Sequence, residues 1–110
     1  MMDKKTKIFI FICLLILAPL LLSSCQKLKT SFKFVSAQAA YNQGKYDTAI
    51  KLYQELIEEK PDDFMLVWNL GITYYSKGDL YKSRKQAVKL RKMGQNDLAD
   101  MLEQTIDKER

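Results

Sequence analysis

The chain repeats its own pattern at an interval of 34 residues, and that period limits what it can fold into more than any single side chain does. Tyr41 recurs as Tyr75, Gly44 as Gly78 and Leu56 as Leu90. Ala37 returns as Gly71, Phe34 as Trp68, Tyr46 as Leu80 and Ala49 as Ser83. Size and chemical type are largely kept at each step. A period of this length signals stacked supersecondary units rather than one closed core.

The spacing inside each unit shows what the unit is. Ala37, Ala40 and Tyr41 trace a helical stripe that ends at Gly44, a residue suited to terminating a helix. Tyr46, Ala49, Ile50, Tyr53, Leu56 and Ile57 then step by three or four, the mark of a second amphipathic helix. Pro61 halts it, because proline lacks the N–H that the helical ladder needs and restricts the residue before it. Asp62 or Asp63 can cap the next helix by accepting its free N–H groups. The second unit follows through Trp68, Leu70, Gly71, Tyr74, Tyr75 and Gly78, then Leu80, Ser83, Ala87 and Leu90. Small residues recur where two helices would cross.

These residues resemble the tetratricopeptide repeat, a helix–turn–helix with the pattern W-x2-L-G-x2-Y…A-x3-F…P. The first copy carries the later half of the pattern in Gly44, Tyr46, Ala49, Tyr53 and Pro61; the second carries the front half in Leu70, Gly71, Tyr74 and Gly78. Trp68 falls one residue later than the family tryptophan, Lys33 and Ser36 replace front-half apolar residues, and the second copy ends in Gly94-Gln95 without proline. The resemblance implies an all-α fold: an α-α superhelix of two helix-turn-helix units plus a C-terminal capping helix, after an N-terminal signal segment. Repeats are expected at about 30–63 and 64–97, with helices near 31–43, 47–59, 63–77, 80–93 and 96–108. Asn96 is the expected N-cap of the last helix, whose face of Leu98, Met101, Leu102 and Ile106 would close the array.

The N-terminus carries a different signal. Lys4, Lys5 and Lys7 precede an apolar run from Ile8 to Leu22, followed by Ser23-Ser24-Cys25. This reads as a secretory leader. The run is shorter than the roughly 20 residues of a membrane span and contains Pro19. Leu22-Ser23-Ser24-Cys25 resembles a bacterial lipobox, which implies a leader over 1–24, acylation of Cys25 and a short polar tether over 25–30. No cofactor is expected beyond that covalent lipid. Two or three acyl chains hold a protein stably where one does not. The resemblance places the domain, 31–110, outside the cytoplasm on the cell membrane or outer membrane; Gln26 differs from the aspartate of inner-membrane retention signals.

Removing the leader takes out three lysines and Asp3, which lowers the net charge from +5 to +3. It also removes Cys13 and leaves no partner for a disulfide at Cys25. Nucleic acid is a poor partner for such a chain. The chain has no histidine, the commonest general base and metal ligand, and no H-E-x-x-H, G-x-S-x-G, P-loop or dinucleotide motif. We read it as non-enzymatic and without a metal site. Glu58, Glu59, Asp62 and Asp63 lack the glycine of a Ca²⁺ loop and are expected to be caps and surface.

The family resemblance implies that the first helix of each unit lines a concave wall. Carried over by alignment, that wall holds Phe34, Gln38, Tyr41 and Asn42, then Met65, Trp68, Asn69, Ile72, Tyr75 and Ser76. Phe34 and Trp68 are read as exposed aromatic anchors of the kind that dominate interfaces. Tyr41 and Tyr75 fit either the groove or the interior. A carboxylate clamp of the chaperone-binding kind is not expected, since Phe34 and Gln38 occupy its first two positions and Asn69 is the sole match. Lys82, Arg84, Lys85, Lys89, Arg91 and Lys92 crowd the fourth helix. A solvated face explains them, with cations favoured toward a helix C-terminus; contact with an anionic membrane or acidic partner is the alternative.

The expectation from sequence is therefore a membrane-anchored interaction module or scaffold of the cell envelope, binding a protein or peptide in an aromatic groove. The alternatives are a self-associating structural lipoprotein, since two repeats fall short of the roughly three a robust array needs, and an accessory factor of an envelope complex resembling pilotins.

Overall fold

The computed structural model describes residues 3–109, with the side chains of 20–27, Cys25 included, outside the described residues. Among the described residues five α-helices follow one another: α1 Lys4–Asn42, α2 Tyr46–Glu59, α3 Phe64–Lys77, α4 Leu80–Lys92 and α5 Asn96–Asp107. No strand occurs among the described residues. The fold is all-α. The chain divides into two compact units, Met1–Phe32 and Lys33–Arg110.

In the first unit, Ile8, Phe9, Ile10, Phe11, Ile12, Leu14, Leu15, Ile16 and Leu17 are all exposed. A helix that is apolar on every side has no solvent face of its own. Among the described residues, however, no helix is long and apolar enough to cross a membrane. The sequence starts the first repeat helix near 31, and here the structure differs, because α1 also includes 25–30. The physical reason is local. Between Pro19 and Gly44 the chain has no proline or glycine, and Gln26, Lys27, Leu28 and Lys29 are good helix formers.

The second unit is built from hairpins. Helices α1, α3 and α4 end at Gly44, Gly78 and Gly94, which take φ of 75°, 93° and 81°. That left-handed turn lets the next amide reach back: Lys45 N–H to Ala40 O at 2.8 Å, Asp79 to Tyr74 O at 2.9 Å and Gln95 to Leu90 O at 2.9 Å. Asp63 caps α3 by accepting from Met65 N–H at 3.1 Å, and Asp79 caps α4 by accepting from Lys82 N–H at 3.1 Å. The expected Asn96 cap is not used: α5 starts at Asn96, and Gln95 before it makes no side-chain cap bond.

Two apolar clusters share α3 as their common wall. Ala37, Ala40, Ala49, Ile50, Tyr53 and Leu56 pack with Leu66, Leu70 and Tyr74 of α3. Val67, on the next face of α3, packs with Ala87, Leu90, Ala99, Leu102 and Ile106. Each cluster thus joins a hairpin to the helix that follows it, the nearest-neighbour packing of a repeat array. The small residues act where expected. Ser83 is buried between α3 and α4, and its Oγ donates to Gly71 O at 2.8 Å.

Candidate functional site

An open pocket of about 280 Å³ lies between α1 and α3, lined by Gln38, Tyr41, Asn42, Tyr53, Asn69, Ile72 and Thr73. Five of these seven are residues that the sequence assigns to the concave wall. The geometry is helical in origin. Gln38, Tyr41 and Asn42 lie at i, i+3 and i+4 on α1, and Asn69, Ile72 and Thr73 repeat that spacing on α3. Successive first helices therefore present parallel stripes, one on each side of the pocket.

The lining carries no side chain that is charged at neutral pH. Its polar groups are three amides and the hydroxyls of two tyrosines and a threonine. Thr73 is buried, and its Oγ1 donates to Asn69 O at 2.6 Å within α3, so it forms floor rather than a free donor. Tyr53 is also buried; burial first, and then the neighbouring Tyr41, pushes its phenol above the ordinary tyrosine range. It stays neutral well beyond physiological pH. Among the described residues, no side-chain hydrogen bond engages the amides of Gln38, Asn42 or Asn69. A neutral site with spare amide donors and acceptors suits the main chain of an extended segment better than a formal charge.

Ser76 extends the α3 stripe one turn beyond the pocket and shares a 2.9 Å hydrogen bond with Tyr41 Oη. Tyr75, one repeat after Tyr41, behaves in parallel by donating from Oη to Glu109 Oε1 at 2.6 Å. That bond, followed by burial and the carboxylate's charge, raises its pKa. Each first-helix tyrosine thus reaches a position about one repeat ahead. Tyr75 packs against the second cluster and does not line the pocket. Met65 is exposed on the first turn of α3, also away from the pocket.

Phe34 and Trp68 require a correction. Both are half-buried rather than exposed anchors. Phe34 packs on the first cluster, edge-on to Tyr53 with ring centroids 6.2 Å apart, and Trp68 packs on the second. They still occupy corresponding places on successive hairpins. Their rings are large enough to reach across to neighbouring helices, and burial there outweighs display in the groove. Tyr53 and Thr73 are the residues that sequence reasoning missed. Thr73 was readable, since it continues the stripe of Asn69, Ile72 and Ser76; Tyr53 belongs to the core stripe of α2, and only the packing shows that one edge of it reaches the pocket.

Among the described residues, no three of His, Cys, Asp and Glu are placed to hold a metal. Acylation at Cys25 falls on a side chain outside the described residues.

No curated protein matches the chain. A family model described as TPR repeat matches residues 37–78. That stretch runs from Ala37 in α1 through all of α2 and α3 to the terminating Gly78. Repeats of this family are protein–protein interaction modules, and residues 37–78, which match it, supply every lining side chain of the pocket within an all-α stack of hairpins.

Proposed function

We propose that this chain is an interaction module that receives an extended protein segment between α1 and α3, and that it does so from the outer surface of a membrane, tethered by lipid at Cys25. The observation that carries the first part is the pocket itself: Gln38 and Asn42 on one wall and Asn69 on the other, around a floor of Tyr53 and Thr73. Amides that the fold leaves unengaged can pair with peptide N–H and C=O groups in any sequence, while Tyr41 and Ile72 supply apolar contact. The tether is supported by Lys4, Lys5 and Lys7, the exposed apolar run that follows and the Leu22-Ser23-Ser24-Cys25 string. The apolar run from Ile8 to Leu22 is shorter than the roughly 20 residues of a span, which favours acyl chains as the anchor.

The test is site-specific photocrosslinking in intact cells. A photoreactive residue at Gln38 should give a discrete crosslinked species that Asn69→Ala weakens, and the same probe at exposed Lys51 on α2 should not. Equal capture from both sites would remove the pocket from consideration. A product of twice the chain's mass would make the partner a second copy. Metabolic fatty-acid labelling tests the tether separately: Cys25→Ala should abolish it, and persistent label would refute the lipobox reading.

A further inference from the structure

The cations of α4 are divided between two tasks. Arg84 pairs with Asp107 at 2.8 Å, and Arg91 bridges Asp100 at 2.7 Å and Glu103 at 3.0 Å, so both arginines bind α4 to the last helix and the residues that end it. Lys82 stays beside Asp79 at the start of α4. Lys85, Lys89 and Lys92 meet no acidic group among the described residues. At 100° per residue, they share an arc of about 100° with Tyr81 and Val88, directly opposite the buried Ser83, Ala87 and Leu90. Tyr81 is 69% exposed and Val88 47% exposed, and Lys85 Nζ stands 4.7 Å from the Tyr81 ring centroid. One outward face of the helix therefore carries three unneutralised lysines interleaved with an aromatic and a branched apolar side chain.

We infer that this face of α4 docks on an anionic membrane surface, with the lysines among lipid phosphates and Tyr81 and Val88 at the headgroup level. Charge complementarity selects an anionic occupant, and the character of the face selects a bilayer over an acidic protein. Specific carboxylate recognition favours the fixed fork of arginine, and here both arginines of α4 are held by α5. Lysine is a flexible point charge whose stem can lie along apolar surface while its head seeks a diffuse layer of phosphates. Basic residues beside tyrosine and aliphatic side chains match the composition of interfacial helices. The inference rests on the membrane-tethered reading, because a chain held at a leaflet meets lipid headgroups at high local concentration.

The experiment uses the full chain with Cys13→Ser and Cys25→Ser, carrying an environment-sensitive fluorophore at Val88→Cys and, in a control, at exposed Thr48→Cys on α2. The chain is mixed with phosphatidylcholine vesicles or with equimolar phosphatidylcholine–phosphatidylglycerol vesicles. Emission from position 88 should shift to the blue on anionic vesicles alone, while position 48 stays unchanged. Raising salt from about 0.1 M to about 1 M, which cuts the screening length from about 10 Å to about 3 Å, should reverse the shift. Changing Lys85, Lys89 and Lys92 together to Gln should weaken docking by about 100-fold, at roughly fivefold per lysine. Equal emission on the two vesicle types, or a triple variant that docks like the parent, would overturn the inference. A response to polyglutamate without a response to anionic vesicles would also overturn it and give the face to an acidic protein. Cosedimentation with neutral vesicles reads the N-terminal helix alone, and fatty-acid labelling of the chain with Cys25 intact reads the tether, so failure of the tether and failure of α4 docking are separable.

Discussion

Gly71→Ala adds a single methyl group at a crowded helix crossing. Gly71 is buried in the middle of α3, and a Cβ built there would stand 2.7 Å from Leu102 Cδ2 and 3.2 Å from Gln86 Cβ. Leu102 is completely buried in the cluster with Val67, Leu90 and Ile106, so its end cannot swing away without disturbing packed neighbours. The Gln86 Cβ is fixed by the α4 backbone. Overpacking of this sort costs about 1–3 kcal/mol. Replacing a mid-helix glycine by alanine returns about 1 kcal/mol of helix propensity. With a clash near the middle of its range, the net loss is about 1 kcal/mol, or a melting temperature lower by about 4–8 °C for a domain of this size. Thermal unfolding followed by circular dichroism reads it directly. A second variant isolates the cause: Leu102→Val draws back the clashing methyl, and Gly71→Ala in that background should cost less by about 0.5 kcal/mol or more. Simple additivity, or a rise in melting temperature for the single variant, would refute the crossing as described. Ala37, one repeat earlier, is fully buried with its methyl in place, so the requirement for glycine belongs to the site where α5 also approaches.

Other perturbations follow from the same geometry. Trp68→Ala should destabilise the domain by about 2 kcal/mol, below the roughly 3–5 of a fully buried ring, and an unchanged melting temperature would return Trp68 to the groove. Gln86 Oε1 is buried without a hydrogen-bond partner among the described residues; Gln86→Met should therefore stabilise by about 1 kcal/mol, and a loss would mean the amide is engaged. Alkaline pH should destabilise the chain. Burial raises the pKa of Tyr53, the Glu109 hydrogen bond that of Tyr75, and carboxylate hydrogen bonds those of Lys33, Lys77 and Arg91. Above about pH 10 the folded chain then holds more protons than the unfolded one, so stability is complete below that pH and lost as pH rises through the folded values. A melting temperature that rises above pH 10 would contradict this.

The hairpins were legible because their signals are local and doubled. Gly44 and Gly78 stand one period apart and both adopt the left-handed turn, and Pro61 and Asp63 mark the junction between the repeats. The inner stripe was legible because alignment fixes which helix faces inward, and it placed Gln38, Tyr41, Asn42, Asn69 and Ile72 around one pocket. Alignment does not fix depth. Whether a ring at Phe34 or Trp68 stands in the groove or lies against the next helix depends on the space that neighbouring helices leave, which no pattern in the chain encodes. The start of α1 was misread for a different reason. A polar composition put the helix start near 31, yet nothing in 25–30 breaks a helix, and helix continuity depends on breakers more than on polarity.

Asn69 is the residue on which the binding account turns, because its side chain lines the pocket and makes no hydrogen bond among the described residues, and alanine is at least as good a helix former. The decisive measurement is the affinity of the segment captured at Gln38 for the parent chain and for Asn69→Ala, beside their melting temperatures. The account predicts binding weaker by about tenfold, the worth of one lost amide contact of about 1.4 kcal/mol, with stability unchanged or slightly raised. Equal affinity for the two chains would contradict it.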